Sequence, residues 1–420
     1  MQPAIFGVSR TLAVPITGLA MLAGEGLATA DDALARGVGD LRPTAAAGPP
    51  RPAPQPLDIR RLRAHGGGTV DTTQAPDWWV SRPDDAERLM RSLPGVEVFE
   101  LGRSAGGRPI LAAALGERED LPGRTSTSLA SAIAGGDPQA FYGRGKRSRQ
   151  GFLFLGGAHG TEFDGTVAAL NMLNVIATGS DLRGRAWPRL AEIGRRMRVV
   201  VIPFLNIDGR ERFHDLRHLK GVLVDDSSVI TTGRWKDGTP MPWPKNKLHF
   251  PVPLGAVDVL GSYYNDDGVN LVYDDAIGGS GASETAALVR FLRTEMPDCV
   301  VCSHSNHGSL VESASSYIPA HFRQHAVEVA AVVGARCHRE GKAKFAIPSR
   351  TDLYSGQTFY QSDVAYHVCG ALPLVVEFPS GYENVPDTLD EMLDIGMLAL
   401  EEIVAFGDAY RFRPKDPKVK

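Results

Sequence analysis

The sequence contains little cysteine and carries little net charge, and both facts exclude whole classes of protein. Four cysteines in 420 residues are too few for a disulfide scaffold. A formal net charge of −4 gives no basic surface to favour nucleic acid or an anionic membrane as a partner. No apolar run approaches the length of a transmembrane helix. With 43% hydrophobic and 22% charged residues, the composition is typical of a soluble globular protein of one large or two ordinary domains.

One Cys-x-x-Cys pattern is present, Cys299-Val-Val-Cys302, and the sequence contains no second one to pair with it. It lies in an apolar, strand-like run. That setting favours buried structural thiols over a redox pair or a zinc pair.

Both ends of the chain are predicted to lie outside the folded domain. In residues 1–75, Arg10 precedes a modestly apolar stretch and an Ala-Thr-Ala sequence, as in a secretory signal, but a proline and a glutamate interrupt the pattern. Export and a disordered extension of a cytoplasmic protein therefore stay equally open. Residues 31–75 are rich in Ala, Pro, Gly and Arg, which predicts a linker. Residues 76–410 are the predicted folded domain, and residues 411–420 form a short basic tail.

From Trp78 onward, strand-like apolar runs alternate with helical patterns. Strands are predicted at 96–101, 109–115, 151–155, 198–204, 299–303 and 372–378. Helices are predicted at 166–178, 283–294, 321–339 and 388–406. This alternation predicts an α/β domain with a largely buried sheet. Residues 220–264 lack clean periodicity and predict a long loop region or insertion, a common source of substrate-binding surface.

The most informative motif is His159-Gly-Thr-Glu162, which follows the apolar strand at 151–155 through a glycine-rich exit. The carboxyl end of a strand is the usual place for a site in an open α/β sheet. An imidazole and a carboxylate three positions apart can both reach one divalent ion such as zinc. Two later strand ends add to this motif, because His304 and Glu377 each follow an apolar run. His307 is the alternative to His304.

In this order the motifs resemble those of the zinc carboxypeptidase superfamily, the M14 metallopeptidases. The resemblance covers about residues 78–406. Its further motifs are Gly102-Arg-Ser-x-Gly-Gly-Arg-Pro, Asn206-x-Asp-Gly209, Gly268-Val-Asn-Leu and Ser283-Glu-Thr. The resemblance implies a three-layer α/β/α sandwich around a mixed, twisted, mostly eight-stranded sheet.

The resemblance also implies a set of site residues. His159, Glu162 and His304 would hold one zinc ion (Zn2+) per chain, and Glu377 would act as the general base. This division agrees with catalytic zinc sites, which have three protein ligands and an open position for water. A degenerate, metal-free relative is the alternative, although all four residue types are present.

The sequence departs from the superfamily where substrate is bound. Typical members read Gly-Val-Asp-Leu-Asn-Arg-Asn-Phe, and their Asn-Arg pair grips the terminal carboxylate of the substrate. Val272 and Tyr273 stand at those two positions, so the bidentate guanidinium is missing. Asp274 and Asp275, which follow, would either make the pocket acidic or pair internally.

Two further substrate-binding roles are implied. Arg212 and Arg234 are candidates for the arginine that polarises the carbonyl. Tyr354 is the candidate for the superfamily's mobile tyrosine, with Tyr360 and Tyr366 as alternatives.

The expected function is therefore a zinc-dependent hydrolase that cleaves a peptide or amide bond. The partner is a peptide or an amide-bearing small molecule. An amidohydrolase or deacylase of the same fold is one alternative, and a non-catalytic binding protein that uses residues 220–264 is another. The oligomeric state stays open.

Overall fold

A mixed, twisted sheet runs through the part of the protein that the structure describes. The computed structural model describes residues 59, 62–119, 134, 136, 148–241, 251–274, 281–306, 310–312, 318–342 and 361–413. The described strands are β1 Glu97–Arg103, β2 Pro109–Leu115, β3 Gly151–Leu155, β4 Arg198–Ile202, β5 Gly233–Trp235, β6 Val257–Leu260, β7 Cys299–Asn306, β8 Leu310–Glu312 and β9 Leu372–Pro379.

The described helices alternate with these strands along the chain. They are α1 Pro83–Ser92, α2 Asp164–Thr178, α3 Pro188–Gly194, α4 Ile207–Glu211, α5 Val224–Thr231, α6 Ser283–Glu295, α7 Ala320–Arg339, α8 Gln361–Cys369 and α9 Leu389–Tyr410. Among the described residues, no helix has both the length and the apolar composition needed to span a membrane.

The main sheet has the strand order β1-β2-β4-β3-β7-β9-β8. The four central strands, β4, β3, β7 and β9, run parallel, whereas β1, β2 and β8 pair antiparallel with their neighbours. Both β3 and β4 are buried along their whole length, as central parallel strands covered on both faces should be. The predicted α/β fold is confirmed, and the described part of the main sheet has seven strands where mostly eight are expected.

Helices cover the sheet in two groups. In the first group, α9 contacts α2, α3 and α7, and these helices pack on β7, β8 and β9 through α2, α7 and α9. The second consists of α6 and α8, which contact each other and pack on β1, β7 and β9. The four cysteines form no disulfide and are buried, as the interpretation of Cys299 and Cys302 as buried thiols expects.

Residues 220–264 were predicted to be a long loop region or an insertion, and their described part is not simply a loop. It contains the helix α5 and the strands β5 and β6, which pair antiparallel in a small separate sheet. The loop alternative is wrong there because the strands are short and several of their residues are only half-buried, so no clear periodicity marks them. The insertion alternative stays a prediction.

The predicted ends of the chain fall mostly outside the described residues, and their boundaries stay predictions. Residues 62–70, within the expected linker, pair with the folded domain. The amide of His65 donates to the carbonyl of Gly221, and the amide of Leu223 donates to the carbonyl of Arg63. At the other end, the buried ring of Phe412 lies 6.0 Å from that of Phe152.

Candidate metal centre

The parallel strands bring the predicted motifs to one edge of the sheet. β3, β7 and β9 are consecutive neighbours, so their carboxyl ends meet. The loop that leaves β3 carries His159 and Glu162 and ends where α2 begins at Asp164. His304 lies near the end of β7, and Glu377 lies near the end of β9.

His159, Glu162 and His304 form a compact cluster whose ligand atoms all lie within 4.8 Å of one another. Oε2 of Glu162 is 3.0 Å from Nδ1 of His159 and 2.8 Å from Nδ1 of His304. The two imidazole rings meet edge to face, with centroids 4.9 Å apart. Residues that are 142 positions apart in the sequence thus face the same point.

The cluster is buried, and its charges are coupled. Burial raises the pKa of the Glu162 carboxyl, but the charges and hydrogen bonds of His159 and His304 hold that pKa well below its usual range. The amide of Ser305 lies 3.4 Å from Oε2 and adds a further donor. Glu162 is therefore an anion that faces two imidazoles in a site with little water.

These residues fit zinc. Two imidazole nitrogens and one carboxylate oxygen are the donor set of an open catalytic zinc site, and zinc takes such ligands at about 2.0–2.2 Å. The three donors already converge without any change of fold, since the same Oε2 atom lies within hydrogen-bonding distance of both Nδ1 atoms.

Glu377 lies beside this cluster on the adjacent strand. Its Cα is paired with that of His304 in the register of β7 and β9, and paired residues of neighbouring strands project to the same face. The carboxylate also lies close enough to Tyr263 to act on its ionisation. Burial and Glu162 raise the pKa of that phenol well above its usual value, and Glu377 adds to this effect.

Tyr263 belongs to the cluster, although no sequence motif pointed to it. Its ring stacks on that of His159, with centroids 3.5 Å apart and planes 9° apart. Its hydroxyl donates a hydrogen bond of 2.8 Å to Oε1 of Glu162. A tyrosine 101 positions from its partner leaves no local signal in the sequence.

Asp164 is a second buried acid that the sequence analysis left without a role, although it lies two positions after Glu162. Burial raises its pKa to about 7, and the charge of Glu162 acts in the same direction. An acid two positions after the His-x-x-Glu motif was a signal that could have been noticed.

Backbone contacts fix the loop that carries the ligands. The amide of Gly160 donates to the carbonyl of Ser262 at 2.9 Å, and the side chain of Asn206 donates to the same carbonyl at 3.1 Å. A side chain at position 160 would overlap the backbone of Gly209 and Arg210. Only glycine at 160 therefore allows the His159 loop to lie this close to the Asn206-x-Asp-Gly209 turn.

Three of the remaining motifs, those that contain Ser104, Asp208 and Glu284, form one polar cluster around the buried Asp208. Its carboxylate accepts hydrogen bonds from the Ser104 hydroxyl at 2.6 Å, the Gly106 amide at 2.8 Å and the Arg108 guanidinium at 2.7 Å. Glu284, from the Ser-Glu-Thr motif, accepts from the amide of Ala105. These motifs hold the β1–β2 turn against the domain and do not contribute metal ligands.

The two arginines predicted to bind substrate are both engaged within the protein. The side chain of Arg212 is 10% exposed and donates to the carbonyls of Gly261 and Tyr264 at 2.9 and 3.1 Å and to Asp266 at 2.7 Å. Arg234, on β5, pairs with Asp258 at 2.8 Å. Their proposed role in substrate binding stays a prediction.

The segment that replaces the carboxylate-gripping pair lies next to the metal cluster. Val272 and Tyr273 are buried and pack with Ala158, the residue before His159. The carboxylate of Asp274 accepts a hydrogen bond of 2.7 Å from the amide of Ala282, so at least one of its oxygens is used internally. The other candidates in question, Asp275, His307, Tyr354 and Tyr360, lie outside the described residues. Tyr366 is buried in α8.

Comparison with known proteins agrees with this geometry. Residues 86–247 match the family model Peptidase_M14, described as zinc carboxypeptidase. This part of the chain is therefore similar to the M14 zinc carboxypeptidases, and it makes up less than half of the sequence. The matched range contains His159 and Glu162 and ends before His304 and Glu377. No curated protein matches the chain.

Solved structures of carboxypeptidases also match. A metallo-carboxypeptidase from Burkholderia cenocepacia is 14% identical with a TM-score of 0.48, and the match covers 78% of this chain and 69% of that one. A metallo-carboxypeptidase from Pseudomonas aeruginosa in complex with (2-guanidinoethylmercapto)succinic acid is 11% identical with a TM-score of 0.47, over 78% and 69%. The carboxypeptidase A from Helicoverpa armigera is 14% identical with a TM-score of 0.42, over 81% and 76%.

Proposed function

We propose that this protein is a zinc-dependent hydrolase of the M14 carboxypeptidase-like class that cleaves a peptide or amide bond. One zinc ion per chain would be held by His159, Glu162 and His304, with Glu377 as the general base. The observation that carries the proposal is the convergence of three buried ligand atoms within 4.8 Å of one another. One of them belongs to His304 on β7, the strand next to that of Glu377.

When bound, zinc polarises a carbonyl oxygen and makes water acidic enough to attack near neutral pH. The chain's own residues would do the rest. Glu377 would accept a proton from the attacking water and return it to the leaving amine. The anionic Glu162 would balance the charge of the ion, and the buried setting would strengthen these interactions by excluding solvent.

The test combines metal analysis with an activity panel. Purified protein should contain about one zinc per chain and should hydrolyse members of a panel of peptides and N-acyl amino acids. Glu377→Gln should retain zinc and lose about 10²–10⁴-fold in rate. A correctly folded protein that takes up no divalent ion would end this proposal. Zinc binding with no hydrolysis of any panel member would favour the binding-only alternative.

The packing beside His159 favours a narrower version of the same function, an amidohydrolase or deacylase that does not require a free terminal carboxylate. The supporting observation is the buried apolar contact of Val272 and Tyr273 with Ala158. An apolar wall offers no cation to pair with a carboxylate. Tyr273 would contact the substrate through its ring, and Tyr354 stays a prediction for the same role.

Matched substrates distinguish the two versions. Each peptide is assayed with a free and with an amidated C-terminus, and the ratio of the two kcat/KM values is compared. We expect a ratio near one. A preference of more than about 100-fold for the free carboxylate, equivalent to about 3 kcal/mol, would restore conventional carboxypeptidase specificity.

A further inference from the structure

Tyr263 contacts two of the three proposed ligands. We infer that it is a positioning residue that fixes the orientation of the Glu162 carboxylate and of the His159 imidazole towards the ion. The inference rests on the proposed function, because it takes these residues as the zinc ligands. It goes beyond that function in assigning a separate task to each oxygen of Glu162.

The two oxygens of the Glu162 carboxylate have different partners. Oε2 faces Nδ1 of both His159 and His304, at 3.0 and 2.8 Å. Oε1 accepts the hydrogen bond of the Tyr263 hydroxyl at 2.8 Å. The phenol therefore occupies one oxygen and leaves the other for the ion, so Tyr263 selects ligation through Oε2 alone.

The ring of Tyr263 constrains the second ligand. It lies nearly parallel to the His159 imidazole, with planes 9° apart and centroids 3.5 Å apart. A face-on contact of this kind prevents the imidazole from tilting towards the phenol. Groups that orient ligands in this way typically contribute 10–100-fold to metal affinity.

The backbone of Tyr263 is itself held rigidly, which a positioning residue requires. Its amide donates to the carbonyl of Thr231 at 3.0 Å. Arg212 donates to the carbonyls of Gly261 and Tyr264, on either side of it. Ser262 joins the same turn to the ligand loop, through its carbonyl to the amide of Gly160 and through its hydroxyl to Thr161.

Three variants separate the hydroxyl from the ring. Tyr263→Phe removes the donor to Oε1 and keeps the stacking, whereas Tyr263→Leu removes both. Tyr264→Phe is the matched control, because it removes the hydroxyl of the adjacent buried tyrosine, which packs in the cluster of Met241 and Val252. For each full-length protein, the zinc dissociation constant is measured by chelator competition, the cobalt(II) absorption spectrum is recorded, and a melting curve checks the fold.

We expect Tyr263→Phe to raise the zinc dissociation constant by about 10–100-fold and to change the cobalt spectrum, because the second carboxylate oxygen is released. Tyr263→Leu should raise the constant further, and Tyr264→Phe should leave both measurements near those of the wild type. In the wild type, zinc should also produce an ultraviolet difference band of tyrosine, which Tyr263→Phe should lack. This band tests the inference even if a variant folds poorly.

Two results would overturn the inference while leaving the proposed function intact. One is a wild type that binds zinc without the tyrosine band; the other is a folded Tyr263→Phe with unchanged affinity and cobalt spectrum. A wild type that binds neither zinc nor cobalt would instead overturn the proposed function, and this inference with it.

Discussion

His304 and Glu377 lie directly opposite each other on the parallel strands β7 and β9, although 73 positions of sequence separate them. The pairing puts a proposed ligand and a proposed base on the same face of the sheet at a spacing of about 5 Å between strands. The two acids of the site have different proposed roles, Glu162 as a metal ligand and Glu377 as the general base. Substitution of each one tests these roles.

Glu162→Gln is expected to lose zinc, and excess metal should partly restore its activity, because the variant lacks the anionic ligand that two imidazoles face. Glu377→Gln should instead bind zinc like the wild type and keep its loss of about 10²–10⁴-fold in rate at any zinc concentration. Equilibrium dialysis and zinc-titrated rates measure both effects. If Glu377→Gln sheds the metal while Glu162→Gln keeps metal and turnover, the roles are reversed.

Gly160→Ala should weaken zinc binding and destabilise the fold by about 1–3 kcal/mol, as expected when a side chain is forced into a packed site. The added methyl group would overlap the backbone at Gly209 and Arg210 and push the His159 loop away. Gly255→Ala is the control, since a methyl group there meets open space. Urea unfolding and zinc titration compare the two; equal behaviour would show that the loop tolerates the displacement.

Arg212→Lys should lower the free energy of unfolding by about 2–4 kcal/mol, because an ammonium cannot reproduce a planar guanidinium shared by two carbonyls and a carboxylate. Zinc affinity should fall as well, since the turn that carries Tyr263 loosens. Arg234→Lys, in an exposed pair with Asp258, should change stability by less than about 1 kcal/mol. A selective rise in KM, with stability and zinc affinity unchanged, would identify either arginine as a substrate-binding residue.

Asp208→Asn should destabilise the domain by about 2–4 kcal/mol. The buried carboxylate accepts from Ser104, Gly106 and Arg108, and an amide replaces one accepting oxygen with a donor. Asp258→Asn, which removes an exposed partner of Arg234, is the matched control. Chemical unfolding should separate the two by at least about 1 kcal/mol; indistinguishable curves would mean that the Asp208 cluster contributes little net stability.

The buried His218 should make stability depend on acid. Burial and the charge of Lys220 lower its pKa from 6.5 to about 4. Between about pH 6.5 and pH 4, His218 is protonated in the unfolded chain but stays neutral in the folded protein. The stability that comes from the neutral, buried imidazole is therefore complete above pH 6.5 and is lost as the pH falls towards 4. The loss is at most about 3 kcal/mol.

Urea unfolding with a chelator, at pH 7.5 and at pH 4.5, measures this loss without interference from metal release. His218→Gln should show a smaller difference between the two pH values than the wild type. The exposed His65 supplies a control, because His65→Gln should keep the wild-type difference. An unchanged difference in His218→Gln would assign the acid sensitivity to other groups.

The fold was largely predictable because its main signals are local. Runs such as Phe152–Leu155 and Val199–Ile202 are apolar without interruption, and the structure buries them as central parallel strands. Residues 220–264 were not predictable in this way. Their short strands β5 and β6 are stabilised by contacts with each other and with the helix α5, which leave little periodicity in the sequence.

The sequence by itself determined which residue types end the central strands, and hence that His159, Glu162, His304 and Glu377 would meet at one edge of the sheet. The topology of parallel strands makes that outcome nearly unavoidable. Only the tertiary structure decided what Tyr263, Arg212 and Asp208 do. Each is an ordinary polar residue in the sequence, and the partners of its side chain named above lie 49 to 104 positions away. Choice among such distant partners depends on the packed geometry of the whole domain, which no local pattern of residues encodes.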